Sequence, residues 1–124
     1  MYYKAKLFKD ENVADLIMKA LGPKEQKSLG RQVRNFDEEK WANFREVIVK
    51  TINIEKFRQC SYPRNALMET KGTLIVEASP SDVIWGIGLG MTDERIFDPQ
   101  QWRGKNLLGK ILTNIRLRFE REQI

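Results

Sequence analysis

Residues 79–105 show neither helical nor strand periodicity, and this stretch constrains the fold more than any other. It holds Ser79-Pro80, alternate glycines in Trp85-Gly-Ile-Gly-Leu-Gly90, then Asp98-Pro99 and Trp102-Arg103-Gly104. A chain of 124 residues suits one domain. Long irregular stretches inside compact domains are usually functional or disordered. Two tryptophans in this one argue for order, and therefore for function.

The flanks read as helices. Residues 2–8 suit the end of a helix or a short helix of their own. Asp10 or Asn12 is placed to cap a second, running to about Leu21, with Val13, Leu16, Ile17 and Ala20 at helical spacing. Gly22-Pro23 stops it. Pro23 suits the first turn of another short helix, reaching about Leu29, with Gly30 as its C-cap. Asp37, followed by Glu38 and Glu39, predicts the start of a long helix over 38–57, in which Trp41, Phe44, Ile48 and Ile52 repeat. Pro63 opens a further short helix containing Leu67 and Met68, and Lys71-Gly72 is a turn. The β-branched apolar run Thr73-Leu-Ile-Val76 predicts a buried strand. A last helix covers about 106–122, with Leu108, Ile111, Leu112, Ile115 and Phe119 on one face.

Composition excludes several chemistries. Without histidine, Ser-His-Asp and Cys-His catalysis cannot be built, and neither can a His-ligated zinc site. The one cysteine, Cys60, makes neither a thiolate metal site nor an internal disulfide, which fits a reducing, cytoplasmic setting. No apolar run approaches the ~20 residues a membrane span needs, and residues 1–12 have no apolar core of the secretory type. The net charge of +5 suits either a solvated surface or a site for a phosphorylated ligand.

Chemistry must therefore rest on Asp, Glu, Lys, Arg, Tyr or Ser. Glu77 follows the apolar run directly, and Asp82 precedes another short one ending at Trp85. Two carboxylates beside a glycine-rich loop are the usual equipment for glycoside hydrolysis, where positive charge grows on the sugar. The residues alone leave a second reading open, in which Glu77 and Asp82 cap a turn and pair with Arg103 or Lys105. Gly86, Gly88 and Gly90 do not make a dinucleotide fingerprint, because no helix opens at the third glycine. They suit close backbone approach, to a ligand or to the tryptophan rings. Trp85 and Trp102 suit stacking on a base or sugar, or a place in the core. A lysine such as Lys4 becomes nucleophilic only if its pKa is lowered.

Several strings together resemble the YbiA-like (NADAR) family. They are Tyr2-Tyr-Lys-Ala-Lys-Leu-Phe8, Pro23-Lys-Glu-Gln-Lys-Ser-Leu-Gly-Arg-Gln-Val33, Phe36-Asp-Glu-Glu-Lys-Trp41, Val76-Glu-Ala-Ser-Pro80, Asp82-Val-Ile-Trp-Gly-Ile-Gly88 and Asp98-Pro-Gln-Gln-Trp-Arg-Gly-Lys-Asn-Leu-Leu-Gly109. Lys56-Phe57 with Gln59 belongs to the same set. The strings run in order along the whole chain, so the resemblance implies a single domain over 1–124. It implies an α-rich α+β fold with about five or six helices around a small sheet. It also implies an N-glycosidase that cleaves ribosylamino-pyrimidine phosphates of riboflavin synthesis through a lysine Schiff base. A related activity of the family removes ADP-ribose from guanine in nucleic acid.

On this resemblance Lys4 is the attacking lysine. Glu77 and Asp82 are the acid/base or charge-stabilising carboxylates. Trp85, Gly86, Gly88, Trp102, Arg103 and Asn106 line the substrate site, with Trp85 stacking and Arg103 and Asn106 on phosphate or ribose hydroxyls. No metal or redox cofactor is implied.

The family domain usually opens with a strand-forming segment and a glutamate upstream of the lysine, and Gln59 is here followed by Cys60 rather than asparagine. The expectation is thus an N-terminally truncated member in which the strand over 73–76 keeps an open edge. Three explanations stand: a misassigned start, a second chain that supplies the missing segment, or a decayed homologue; the alternative to an enzyme is a non-catalytic or partner-dependent fragment of the family.

Overall fold

The computed structural model describes residues 1–123. Its helices are α1 (Tyr2–Leu7), α2 (Glu11–Lys19), α3 (Pro23–Gly30), α4 (Glu38–Gln59), α5 (Ser61–Glu69) and α6 (Leu107–Glu122). Two short 3-10 turns, Glu94–Phe97 and Pro99–Gln101, interrupt the irregular stretch. The chain divides into two compact units, Met1–Ile48 and Val49–Ile124, so α4 contributes residues to both. No described helix is long and apolar enough to cross a membrane.

In the first unit Asp10 joins two segments. Its buried carboxylate caps α2 by accepting from the Val13 amide (3.2 Å). It also accepts from the Arg34 amide (2.8 Å), which ties down the loop after α3. Around it lies a core of Ala5, Phe8, Val13, Ala14, Ile17 and Val33, with Tyr2, Leu7, Leu29 and Trp41 packed against it. Asp37 caps α4 as expected, accepting from the Glu39 and Lys40 amides. Gly30 is not the C-cap that the sequence suggests, a place that Arg31 takes. It ends α3 in a helical turn that Arg31 continues, and it is small because Met1 packs where a Cβ would sit.

The Arg34 and Val13 amides, helped by the Arg34 guanidinium, hold the Asp10 carboxyl below the usual carboxylate range. A carboxyl depressed on folding stabilises fully above its unfolded pKa of about 3.9, and that contribution is lost as pH falls through the folded value. The melting temperature of Asp10→Asn should therefore lie below wild type at neutral pH and converge on it in acid. A gap unchanged from pH 7 to the acid end would show that the charge of Asp10 contributes nothing.

The second unit has its own core: Ile54, Phe57, Leu67, Ile111, Ile115 and Phe119, with Val49, Met68, Ile75, Trp85 and Leu112 packed on it. The apolar face of α6 is thus the one its periodicity predicts. In α4 the expected stripe is buried only in part: Trp41 packs on the first core and Ile48 is half-buried, while Phe44 and Ile52 stay exposed at 46% and 41%, and Ile54 and Phe57 face this core instead. The buried Arg116 closes the end of α5. Its guanidinium donates to the Thr70 carbonyl (2.6 Å) and hydroxyl (2.9 Å), and to the Thr73 carbonyl (2.6 Å).

The expected α+β architecture is not found: the described residues form helices and turns, with no strand and no sheet. The run 73–76 pairs with side chains instead of another strand. The Ile75 amide donates to Thr113 Oγ1 (3.2 Å) and the Glu77 amide to Asn106 Oδ1 (3.0 Å). Asn106 Nδ2 returns a bond to the Ile75 carbonyl (3.1 Å). Thr113 lies in α6 and Asn106 immediately precedes it, so this end of the helix occupies the place of a neighbouring strand.

Candidate active site

The irregular stretch is held by backbone bonds rather than by regular structure. Amides of one segment, 103–108, donate to carbonyls of another, 83–87. Arg103 and Gly104 donate to Ile87, Lys105 to Val83, Asn106 to Gly86, Leu107 to Ile84 and Leu108 to Trp85, all at 2.8–3.1 Å. Helix N-termini carry unsatisfied amides that commonly bind anions. Here the Leu107 and Leu108 amides of α6 are already satisfied by loop carbonyls.

This lacing requires glycines. A Cβ on Gly104 would run into the Gly86 carbonyl, and one on Gly86 would lie 2.8 Å from the Glu77 carbonyl oxygen. Gly88 adopts φ +72°, and a Cβ there would lie 2.8 Å from Arg103 Cβ. The close approach expected of these glycines is made to the protein's own backbone and to Arg103.

Glu77 and Asp82 are both half-buried at the edge of this loop, and they differ. Asp82 Oδ1 accepts from the Ile84 amide (3.0 Å) and the Trp85 amide (2.8 Å), which makes it the cap of the turn into Trp85. The Glu77 carboxylate has no hydrogen bond or ion pair among the described residues. Neither carboxylate pairs with Arg103 or Lys105 among these residues.

The Arg103 side chain is exposed and makes no ion pair among the described residues, although its charge is felt by Asp93. Asp93 is engaged by Arg95, through Nε to Oδ1 (3.0 Å) and Nη2 to Oδ2 (2.6 Å). Those bonds hold the Asp93 carboxyl down at about 2. Trp102 is fixed by a bond from Nε1 to the Ile96 carbonyl (2.9 Å). Trp85 packs on the core of the unit. Asn106 is completely buried, with its carboxamide bonded to main chain on both sides. The second unit thus gathers Glu77, Asp82, Trp85, Gly86, Gly88, Trp102, Arg103 and Asn106.

Lys4 belongs to the first unit. Its Nζ donates to the Gly30 carbonyl (2.7 Å) and lies over the ring of Phe36 (4.6 Å from its centroid), with Trp41 at 5.8 Å. Burial lowers its pKa and Arg31 pushes the same way, while Glu38 opposes. Desolvation beside a second cation is how a lysine amine becomes nucleophilic. Sequence reasoning missed the Asp93–Arg95 pair and the Thr113 bond, because a single threonine inside an amphipathic helix carries no pattern.

Residues 1–120 match the NADAR domain. The chain belongs to the NADAR family. Protein irg-1 of Caenorhabditis elegans is 40% identical over 118 residues, covering 94% of this chain and 56% of that protein. An N-glycosidase of Acanthamoeba polyphaga mimivirus is 44% identical over 116 residues, 94% of this chain and 68% of the viral protein. A riboflavin biosynthesis protein of Vibrio vulnificus is 27% identical over 115 residues, 93% of this chain and 28% of the bacterial one. The chain thus spans little more than half of the nematode relative. The NADAR family contains glycosyl hydrolases, as the name of the viral member states.

Proposed function

We propose that this NADAR chain hydrolyses the N-glycosidic bond between a ribose and an amine, with ribosylamino-pyrimidine phosphates of riboflavin synthesis as substrate. The observation that carries the reading is Lys4, an amine set against Phe36 and with its pKa lowered by burial and Arg31. The names of the viral and Vibrio relatives support the reaction and the substrate class respectively.

In this reaction the neutral Lys4 amine attacks the anomeric carbon, and the bond from that carbon to the base nitrogen breaks. The base leaves with a proton. Opening of the sugar ring gives a Schiff base on Lys4, and water hydrolyses it to free ribose phosphate and the regenerated lysine. Glu77, whose carboxylate no other side chain engages among the described residues, acts as the acid/base or stabilises positive charge on the sugar. Arg103, which makes no ion pair among the described residues, supplies a cation for the substrate phosphate, and Trp102 a fixed ring against which a base can stack.

The test is release of ribose 5-phosphate from the ribosylamino-uracil phosphate. Wild type is expected to release it, and Glu77→Gln to lower kcat by about 10²–10⁴-fold. Asp82→Ala should cost about 1 kcal/mol of stability, as a lost cap does, and keep most of the turnover. Loss of turnover in Asp82→Ala as complete as in Glu77→Gln would assign chemistry to both carboxylates. No release by folded wild type would overturn the substrate, and an ADP-ribosylated guanine in nucleic acid is then the substrate to assay.

A further inference from the structure

Three segments meet at Asn106. Its Oδ1 accepts from the Glu77 amide and its Nδ2 donates to the Ile75 carbonyl. Its own amide donates to the Gly86 carbonyl (3.0 Å), and its carbonyl accepts from the Lys110 amide of α6 (3.0 Å). A carboxamide offers a donor and an acceptor in one plane, so the side chain presents to residues 75–77 what one peptide group of a partner strand would present. The backbone at Asn106 is left-handed (φ +54°), a conformation that asparagine tolerates better than most residues. Gly109 makes room, since a Cβ there would strike the Ile75 carbonyl and the Asn106 carboxamide. With no exposed surface, Asn106 cannot replace a lost bond with water.

We infer that Asn106 is a positioning residue, which sets where the Glu77 carboxylate stands relative to the glycine loop that carries Arg103. The inference rests on the reading of Glu77 as the working carboxylate. Its support is the end point of the clamp: one bond reaches the Glu77 amide itself, and the Asn106 amide holds Gly86, two residues before Gly88, which packs against Arg103. A displacement of about 1 Å at a catalytic group can cost about 10²-fold in rate, so the clamp bears on turnover as well as on folding.

Two variants test it. Asn106→Gly keeps the left-handed backbone and removes both side-chain bonds. It is expected to lower kcat by about tenfold to a hundredfold, with KM nearly unchanged. Asn106→Asp keeps the acceptor for Glu77 and, when ionised, loses the donor to Ile75. The protonated carboxyl regains a donor, so the ratio of its kcat to wild type is expected to rise as pH falls. A ratio flat with pH, or an unchanged kcat in Asn106→Gly, would overturn the inference.

Hydrogen exchange separates this outcome from the fate of the proposed reaction. In Asn106→Gly the Glu77 amide should lose its protection while amides within α6 keep theirs. If exchange changes so and wild type releases no sugar phosphate, the clamp stands and the N-glycosidase reading falls. If exchange at Glu77 is unchanged, the clamp is refuted whatever the turnover. Should Asn106→Gly fail to fold, the pH dependence of Asn106→Asp decides alone.

Discussion

Lys4→Met is expected to abolish turnover, by about 10³-fold or more, in a protein that still folds. Methionine keeps an unbranched apolar stem and removes the amine, with its place over the Phe36 and Trp41 rings and its bond to the Gly30 carbonyl. A covalent nucleophile has no substitute, so its loss returns the reaction to what binding and electrostatics alone provide. Borohydride added during turnover should reduce the Schiff base by delivering hydride to its carbon. Lys4 would then carry a stable sugar adduct, visible by mass in the peptide containing it and absent from Lys4→Met. The neutral amine is the reactive form, so kcat/KM should rise with pH through the lowered pKa of Lys4, below the ordinary lysine range. Full turnover by Lys4→Met, or an adduct on another lysine, would remove Lys4 from the mechanism.

Gly104→Ala is expected to have the largest effect on the fold of the second unit. The new methyl group would meet the Gly86 carbonyl, with Val83 Cα at 2.9 Å, and both neighbours are backbone. Relief requires separating the segments whose amides and carbonyls are laced together at Ile87 and Val83. Overpacking typically costs about 1–3 kcal/mol and sometimes more, and turnover should fall with it, because the same segments carry Arg103 and follow Glu77. The denaturation midpoint, read at unchanged slope, measures this cost. Gly22→Ala is the control, since nothing lies within 4 Å of a Cβ there and its backbone is extended. A midpoint for Gly104→Ala equal to that of Gly22→Ala would show that the two segments separate without penalty.

The helices were legible because apolar spacing and caps are local signals. Asp10, Asp37 and the stripe Ile111, Ile115, Phe119 all act where the sequence placed them. The strand was misread for a reason equally physical. A β-branched run reports an extended backbone but not what will bond to it, and here the partners are Thr113 and Asn106 of a helix and its cap. The same limit divided the two carboxylates. Spacing marked Glu77 and Asp82 alike, and only the turn geometry shows that Asp82 binds the Ile84 and Trp85 amides. The family resemblance places Asn106 on a phosphate or on ribose hydroxyls and carries no information on burial; its complete burial goes with the smallness of Gly109 across a helical turn.

The lacing of 83–87 to 103–108 bears on how the chain tolerates change in length. Every carbonyl in the first segment has an assigned amide in the second. One residue added or deleted within either would misalign all the bonds beyond it and unseat the first turn of α6. Residues 91–101 lie between the two laced segments and contribute none of these bonds. Variation in length among NADAR relatives should therefore collect around the two 3-10 turns, leaving the flanking segments at constant length. Random insertion scanning of this chain would show the same pattern, with folded variants recovered between Met91 and Gln101 and none from the segments on either side.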